Sequence, residues 1–387
     1  MIAPARRLQA FFLVQFLSVG MVNAFAGIWF AAIGLSEVQI GLIGAAPIGV
    51  MLLLTLAVGR LADRASDWRQ VIIIAMLAAG IIPLGLLLSR DFLWVLLVWT
   101  GMAAAQRAGV PVADAAALRM ARREGLDFGS LRALSTIGYL AVILGAGLLL
   151  DRGGVDWFLP LFIGFGLVRA AAALALPRLR AAPPSVTSVS LLRTRPPAWV
   201  IWPMLGWAAI NTNHAILNSF QGLLWAQQGI ALDVIGGLIA LGALAEVAMF
   251  FAFRRLARRA APLSILLAAA GFSIIRWVAM AAAPGVAVLV VLQAMHALTY
   301  AMGFLAITNF IADSTSEDNA AEAQSLLVVM ELAVSVGAVA GFGVLAAAFG
   351  AGSYLASAAM AALGGAAILV ARGLRPVGAG LDRGAEP

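Results

Sequence analysis

The sequence predicts an all-α membrane protein of about twelve transmembrane helices in two six-helix halves. Three observations carry that expectation. The first is composition: 63% of residues are hydrophobic, 11% are charged and the mean hydropathy is +1.01. A soluble domain carries roughly a quarter charged residues. The second is that apolar runs recur along the chain, each close to the ~20 residues that span a bilayer. The third is charge placement. Every basic residue is Arg and none is Lys, and the arginines cluster in alternate loops, as the positive-inside rule describes.

The same composition excludes other classes. With no cysteine, disulfide frameworks, thiol catalysis and thiolate metal sites are ruled out. His214 and His296 are the only histidines, too few for a His-rich metal site. The formal net charge of +7 does not read as nucleic-acid binding, because the arginines sit at span ends rather than in one basic patch. Arg6-Arg7, the following apolar run and Ala24-Phe25-Ala26 imitate a signal peptide. They read instead as a first transmembrane helix with cytoplasmic arginines, since the chain that follows is itself membrane-embedded.

In order, the spans are expected at 10–30, 40–58, 70–89, 92–118, 130–150, 157–176, 198–222, 233–253, 262–282, 285–312, 322–347 and 350–371. Gly34-Leu35-Ser36, Asp151-Arg152-Gly153-Gly154 and Pro284-Gly285 punctuate them. An even number of spans puts both termini on one side. Arg90 and Arg152 alone fall in loops of the opposite side, so both termini are expected in the cytoplasm of a multi-pass protein of the bacterial inner membrane. The acidic loop Asp313 to Glu322 disobeys the pattern, but acidic residues weigh little in this rule.

The segment 177–197, with Pro177, Pro183, Pro184, Pro196 and Pro197, reads as a cytoplasmic linker. It separates an N-terminal half, 1–176, from a C-terminal half, 198–375, with a short tail at 376–387. Two six-helix repeats of this kind suggest a central cavity. An internal echo supports the division. Gly59-Arg60-Leu61-Ala62-Asp63-Arg64 follows the second span, and Phe253-Arg254-Arg255-Leu256-Ala257-Arg258-Arg259 follows the eighth. Asp63 can cap or pair at a helix end, while the arginines face anionic lipid.

Polar residues within spans are costly in lipid unless they pair or line something wet. Asp114 ends the fourth span, Arg132 and Tyr139 open the fifth, and an Asp114–Arg132 pair is geometrically easy. Asn211, His214, Asn218 and Gln221 share one face of the seventh span; they either hydrogen-bond neighbouring helices or line a pathway. Glu246, Arg276, His296 and Glu331 lie on four consecutive spans. Alternating the directions of those spans places His296 and Glu331 near mid-membrane, Glu246 nearer the cytoplasm and Arg276 nearer the outside. A carboxylate withdrawn from water favours its protonated form, and imidazole titrates near neutral pH. The four therefore form either static ion pairs or a proton- or substrate-handling set. Arg169 reads as a cation snorkelling to the inner surface. No Ser-His-Asp spacing, phosphate loop or H-E-x-x-H motif stands out, so no enzyme activity and no cofactor are expected.

With these residues in view, the chain resembles the major facilitator superfamily. G-R-L-A-D-R matches its G-x-L-A-D-R loop signature, and with Gly34–Gly44 it is similar to the start of the phenylpropionate permease group. That group is close to the oligosaccharide and nucleoside proton symporters. The likeness continues through P-V-A-D-A-A-A-L (Pro111–Leu118), D-F-G-S-L-R (Asp127–Arg132), Glu246, Arg276-Trp277, Q-A-M-H-A-L-T-Y (Gln293–Tyr300) and A-Q-S-L-L (Ala323–Leu327). The resemblance implies the major facilitator fold, with Gly59, Asp63 and Arg64 in a gating loop. It also implies Asp114, Arg132 and Tyr139 as acidic, basic and stacking substrate ligands, and Glu246, Arg276 and His296 as coupling residues. It departs at two positions. Ser130 stands where lactose-type symporters have the first Arg of G-R-x-R, and Thr299 stands where they have a Glu after the span 10 His. Glu331 is the substitute proton carrier.

The expected function is secondary transport: proton-coupled symport of a small organic solute (an aromatic or other carboxylate, a sugar or a nucleoside) by alternating access. The substrate residues are Asp114, Arg132, Tyr139, Asn211, His214 and Asn218; the coupling residues are Glu246, Arg276, His296 and Glu331. The partners are the solute, protons and membrane lipids, with no nucleic acid and a monomeric state. An exporter of drugs or sugars is the alternative, with Gly138, Gly145 and Gly147 as a partial span 5 glycine motif. A non-transporting sensor or a membrane enzyme is a remote third reading.

Overall fold

The computed structural model describes residues 4–64, 67–124, 127–179, 196–315 and 317–374, apart from the side chains of 55–64, 122–124, 317–318 and 320–321. The helices are α1 (Pro4–Val14), α2 (Leu17–Ala32), α3 (Glu37–Arg64), α4 (Trp68–Ile81), α5 (Phe92–Glu124), α6 (Phe128–Gly153) and α7 (Phe158–Leu174). They continue as α8 (Ala198–Gln227), α9 (Leu232–Ala257), α10 (Pro262–Ala281), α11 (Val286–Ala294), α12 (Met302–Ser314), α13 (Glu317–Phe349) and α14 (Tyr354–Leu374).

Among the described residues, ten stretches are long and apolar enough to cross a membrane. The last of them joins α13 and α14, which a 3₁₀ turn at Gly350–Ser353 separates. Helix α8 has 30 residues, and its asparagines, His214 and Gln221 interrupt an otherwise apolar run. Counting α8, and α13 and α14 separately, gives the twelve crossings expected. The linker 177–197 lies largely outside the described residues, as does the tail.

Local sequence sets the helix ends. Asp67 caps α4 by accepting from Arg69 N at 2.9 Å, and it also accepts from Leu179 N at 3.0 Å. Asp127 caps α6 through Gly129 N, Ser130 N and the Ser130 hydroxyl. Those donors hold the exposed Asp127 carboxyl below the usual carboxylate range. Glycine ends α6 at Gly154 with φ 86°, a left-handed conformation that side chains resist. Pro47, Pro111 and Pro203 sit inside α3, α5 and α8.

The described chain divides into two compact units. One comprises Met1–Thr187, Ile216–Ala240 and Val339–Ala347; the other comprises Ser188–Ala215, Leu241–Ala338 and Ala348–Pro387. In the first, α4 packs on α5 and α7, and α1 and α2 pack on α6 and α7. One core of this unit gathers Leu8, Phe11, Phe12, Trp68, Ile72, Met76 and Leu131. An aromatic stack, Trp29–Phe158–Phe162–Trp99–Phe30, adds rigid apolar area, with centroid spacings of 4.7 to 5.6 Å.

The first unit also contains backbone-on-backbone contacts made possible by glycine. A Cβ on Gly222 of α8 would strike the Ala24 carbonyl of α2. One on Gly343 of α13 would lie 2.6 Å from the Glu37 carbonyl of α3, and one on Gly236 of α9 would lie 2.8 Å from the Ile143 carbonyl of α6. Small residues allow such close approach of membrane helices. Polar contacts close the ends of these pairs: Gln227 Nε2 donates to Glu37 Oε1 at 2.9 Å and Leu232 N to Asp151 Oδ1 at 3.1 Å.

In the second unit α10 packs against α14 and α12. Its core includes Val200, Met204, Trp207, Ile210, Leu266, Met302, Ile307, Phe310 and Ile368. Trp207 fits because position 303 is glycine; a Cβ there would overlap the indole ring.

Candidate functional site

The second unit contains a connected polar cluster. Helix α11 stops at Ala294, and after Met295 and His296 the chain makes a π-helical turn, Ala297–Ala301, before α12 begins. Such turns insert an extra residue into a helix and recur at functional sites. This one carries Thr299 and Tyr300, with His296 at its entrance.

Arg276, from α10, is fully buried. Its Nη1 donates to His296 Nδ1 at 2.9 Å and to Thr299 Oγ1 at 3.0 Å, and its Nη2 donates to Gln293 Oε1 at 2.7 Å. A guanidinium has donors only, so His296 Nδ1 must present its lone pair. The ring proton then sits on Nε2, which contacts the Glu246 carboxylate. His296 is thus held between a cation and a carboxylate with its tautomer fixed from both sides.

His214, from α8, follows the same logic with the opposite outcome. Its Nδ1 lies 3.2 Å from the Asn211 carbonyl oxygen, an acceptor, so Nδ1 carries the proton. Nε2 is left as a buried acceptor with no hydrogen-bond partner. The His214 ring centroid is 4.8 Å from that of His296 and 4.4 Å from that of Tyr300. Glu331, from α13, has the Trp207 and Asn211 side chains as its polar neighbours. Tyr300 lies within electrostatic reach of both Glu246 and Glu331.

The sequence reading put Glu246 nearer the cytoplasm, His296 near mid-membrane and Arg276 nearer the outside; in the structure the side chains of all three meet at the His296 imidazole. The polar stripe on α8 also divides. Asn211 and His214 join the cluster, whereas Asn218 is exposed and, with the buried Gln221, belongs to the first unit.

In the first unit, Arg132 is the charged neighbour of Asp114, yet among the described residues the two form no ion pair. The expected pair is therefore corrected to a longer-range interaction. The break between α1 and α2 turns Phe16 toward the guanidinium, which sits 4.7 Å over its ring. Asp114 Oδ1 and Arg132 Nη1 are both buried without hydrogen-bond partners. The Asn23 amide donates to the Tyr139 hydroxyl at 3.4 Å. Ser130 donates its N–H and hydroxyl to Asp127, the α6 cap, which gives the departure from the lactose-type motif a local structural role.

Arg169 does not snorkel. It is 1% exposed and its Nη1 donates to Ser18 Oγ at 2.8 Å. Its place on α7 puts its guanidinium against the Ser18 hydroxyl of α2. Gln15, in the break before α2, donates to Ser135 Oγ at 2.8 Å. Neither Ser18, Gln15 nor Ser135 figured in the sequence reading, and Gln15 was findable as an amide inside the first span. The backbone of Gly59, Asp63 and Arg64 is helical, within α3, where a loop was expected; their side chains lie outside the described residues. No cluster of metal-binding side chains occurs among the described residues.

Among the described residues, apolar helices of membrane-spanning length hold buried polar clusters within each unit, and comparison with known proteins gives the class. Residues 5–352 match the family model described as the MFS_1 like family, and the chain belongs to that family of the major facilitator superfamily. It is 25% identical over 314 residues, 78% of its length and 80% of the relative's, to a protein of Escherichia coli (strain K12) named "Probable 3-phenylpropionic acid transporter". It is 30% identical over 244 residues, 60% of each chain, to "Maltose permease" of Geobacillus stearothermophilus. A crystal structure of nucleoside transporter NupG superposes with a TM-score of 0.82 at 14% identity, covering 96% of this chain and 99% of that one. An inward-facing bacterial homolog of the lysosomal transporter Spinster gives a TM-score of 0.71 at 17% identity, covering 96% and 98%. At these identities the solved structures establish the fold.

Proposed function

We propose that this protein is a proton-coupled symporter of a small organic solute, working by alternating access between two six-helix halves in the bacterial inner membrane with both termini in the cytoplasm. The observation that carries the reading is the Arg276–His296–Glu246 contact chain. A proton bound at Glu246 weakens the charge-assisted hydrogen bond it accepts from the neutral His296 Nε2–H, and the imidazole can take up a proton only by giving up its Nδ1 contact with Arg276. Proton occupancy and side-chain arrangement are thereby linked, which is what a coupled carrier requires.

Asp114, Arg132 and Tyr139 are the candidate solute ligands within the first unit, and Asn211 and His214 are those within the second. The unpartnered Asp114 Oδ1, Arg132 Nη1 and His214 Nε2 support these assignments. A buried polar atom without a partner costs roughly 1–3 kcal/mol, a cost that a ligand removes. The stretch Gly59–Arg64 acts as the gating element. The relatives named for 3-phenylpropionic acid and maltose support a small organic solute.

The test is uptake into proteoliposomes of a solute first selected by a thermal-shift panel of carboxylates, sugars and nucleosides. An acid-outside gradient should drive accumulation above equilibrium. Uptake indifferent to the gradient would remove proton coupling.

A further inference from the structure

The Proposed function leaves the charge of the solute open, and Arg107 in the first unit bears on it. Arg107 lies at the middle of the membrane-spanning stretch Phe92–Ala121 of α5, about 21 Å along the axis from the nearer end at 1.5 Å per residue. Arginines near helix ends snorkel to an interface; one at this depth cannot. Its side chain is exposed and yet surrounded by protein, a combination that a recess gives and a convex outer wall does not. Among the described residues it has no hydrogen bond, ion pair or ring contact. By contrast, Arg169 is sealed against Ser18, and Arg132 rests over Phe16 with Asp114 as its charged neighbour.

The backbone at the same point is also left unsatisfied. Pro111 stands four residues on within α5 and has no N–H, so the Arg107 carbonyl loses its helical donor. A free guanidinium and a free carbonyl at mid-span are tolerated where they line water. Arg107, Pro111 and Asp114 follow at helical spacing and share one face of α5. That face is exposed at the first two and half-buried at Asp114, whose Oδ1 has no hydrogen-bond partner.

Charge selects the solute that this face takes. Asp114 and Arg132 act on each other through space, which leaves Arg107 as the accessible cation without a counter-charge. A neutral solute leaves the guanidinium unpaired, and an ammonium is repelled by it at low dielectric. A carboxylate matches it in charge and in shape, since its two oxygens accept two parallel N–H bonds from the guanidinium fork.

We propose that Arg107 is a substrate-binding residue that anchors the carboxylate of a small organic monocarboxylate on the exposed face of α5. The inference rests on the transporter reading above and names its solute class. It concerns recognition, so it can fail while coupling stands.

The experiment is equilibrium binding to the purified full-length protein in nanodiscs, with no pH gradient, read by calorimetry. The probes are acetate, benzoate, 3-phenylpropionate and 4-phenylbutyrate, the neutral amide of each, 3-phenylpropylamine, maltose and uridine. A carboxylate should bind, and its amide should bind about 10-fold or more weakly. Arg107→Gln should weaken the acid by about 10-fold or more and leave the amide unchanged, because only the acid offers a charge to the fork. Arg107→Lys keeps the charge without the fork and should retain part of the affinity for the acid. Arg90→Gln removes the same formal charge from an exposed turn and should leave acid binding unchanged.

Equal losses for acid and amide in Arg107→Gln would mean a merely structural role and overturn the proposal. So would parent-level acid binding in that variant, binding of maltose, uridine or the amine with none of the carboxylates, or no binding by any probe. If Arg107→Gln does not fold, Arg107→Lys carries the test, and an acid-to-amide ratio equal to the parent's would overturn the proposal. Acid binding that depends on Arg107, without accumulation under an acid-outside gradient, would support the proposal and count against the coupling reading, so the two failures are separable.

Discussion

Replacing Arg276 by Ala should both destabilise the second unit and release the His296 tautomer. The side chain is fully buried and makes three hydrogen bonds of 2.7 to 3.0 Å to groups on the α11–α12 segment. Polar contacts between membrane helices average ~0.6 kcal/mol and reach ~1.7. Three lost together, with Glu246 deprived of its cationic neighbour, cost on the order of 2–5 kcal/mol. Arg276→Lys keeps the charge but cannot reach three acceptors with one compact ammonium, so its cost should be intermediate. Melting followed by intrinsic tryptophan fluorescence reads the stability, since the chain has 10 Trp. Nitrogen-15 spectra of the imidazole read the tautomer, which should be the Nε2–H form in the parent and mixed in Arg276→Ala. A variant that melts with the parent and keeps a pure Nε2–H signal would refute the reasoning, because the guanidinium could then not be what fixes the ring.

Other expectations follow from the same contacts. Gly222→Val places atoms against the Ala24 carbonyl, and forcing backbones apart there should cost about 1–3 kcal/mol, visible as a lower melting temperature and increased proteolysis near α8. Asp127→Ala removes the α6 cap and should speed amide exchange at residues 128–131, read by mass spectrometry. In the parent the cap depends on an ionised carboxyl that its donors hold below the usual range. Its stabilisation is therefore present above that range and fades as pH falls through the lowered value, and Asp127→Asn should remove most of that pH dependence. Ser18→Ala leaves the buried Arg169 without its hydroxyl acceptor and should cost roughly 1–3 kcal/mol; a neutral effect on melting would show that the guanidinium has another partner.

The fold was legible because a bilayer imposes a one-dimensional signal. Span length, the arginine asymmetry and the polar punctuation between runs do not depend on tertiary context, and the helices fall close to the expected ranges. The fine structure of the helices was not legible. The break at Gln15 and Phe16 and the π turn at Ala297–Ala301 both lie in sequence that reads as uninterrupted helix. Their causes are tertiary, since Gln15 is held by Ser135, and the π turn carries the Thr299 that Arg276 holds.

The site shows the same division. Helical spacing correctly placed Asn211 with His214, and a carboxylate, a guanidinium and an imidazole on consecutive spans pointed to one cluster. That Glu246 and Arg276 both reach His296 was not visible in the spacing, because a count of residues along a span ignores the reach of long side chains. Asp114 and Arg132 look like a pair in sequence, yet an aromatic ring from the break between α1 and α2 takes the guanidinium. Such competition among partners is invisible until the helices are packed.

The central claim, that the Glu246–His296 contact couples protons to solute movement, is tested most directly by Glu246→Gln in proteoliposomes. The account predicts that the variant loses accumulation driven by an acid-outside gradient while still exchanging labelled for unlabelled solute across the membrane. Accumulation at the parent level under the same gradient would contradict it.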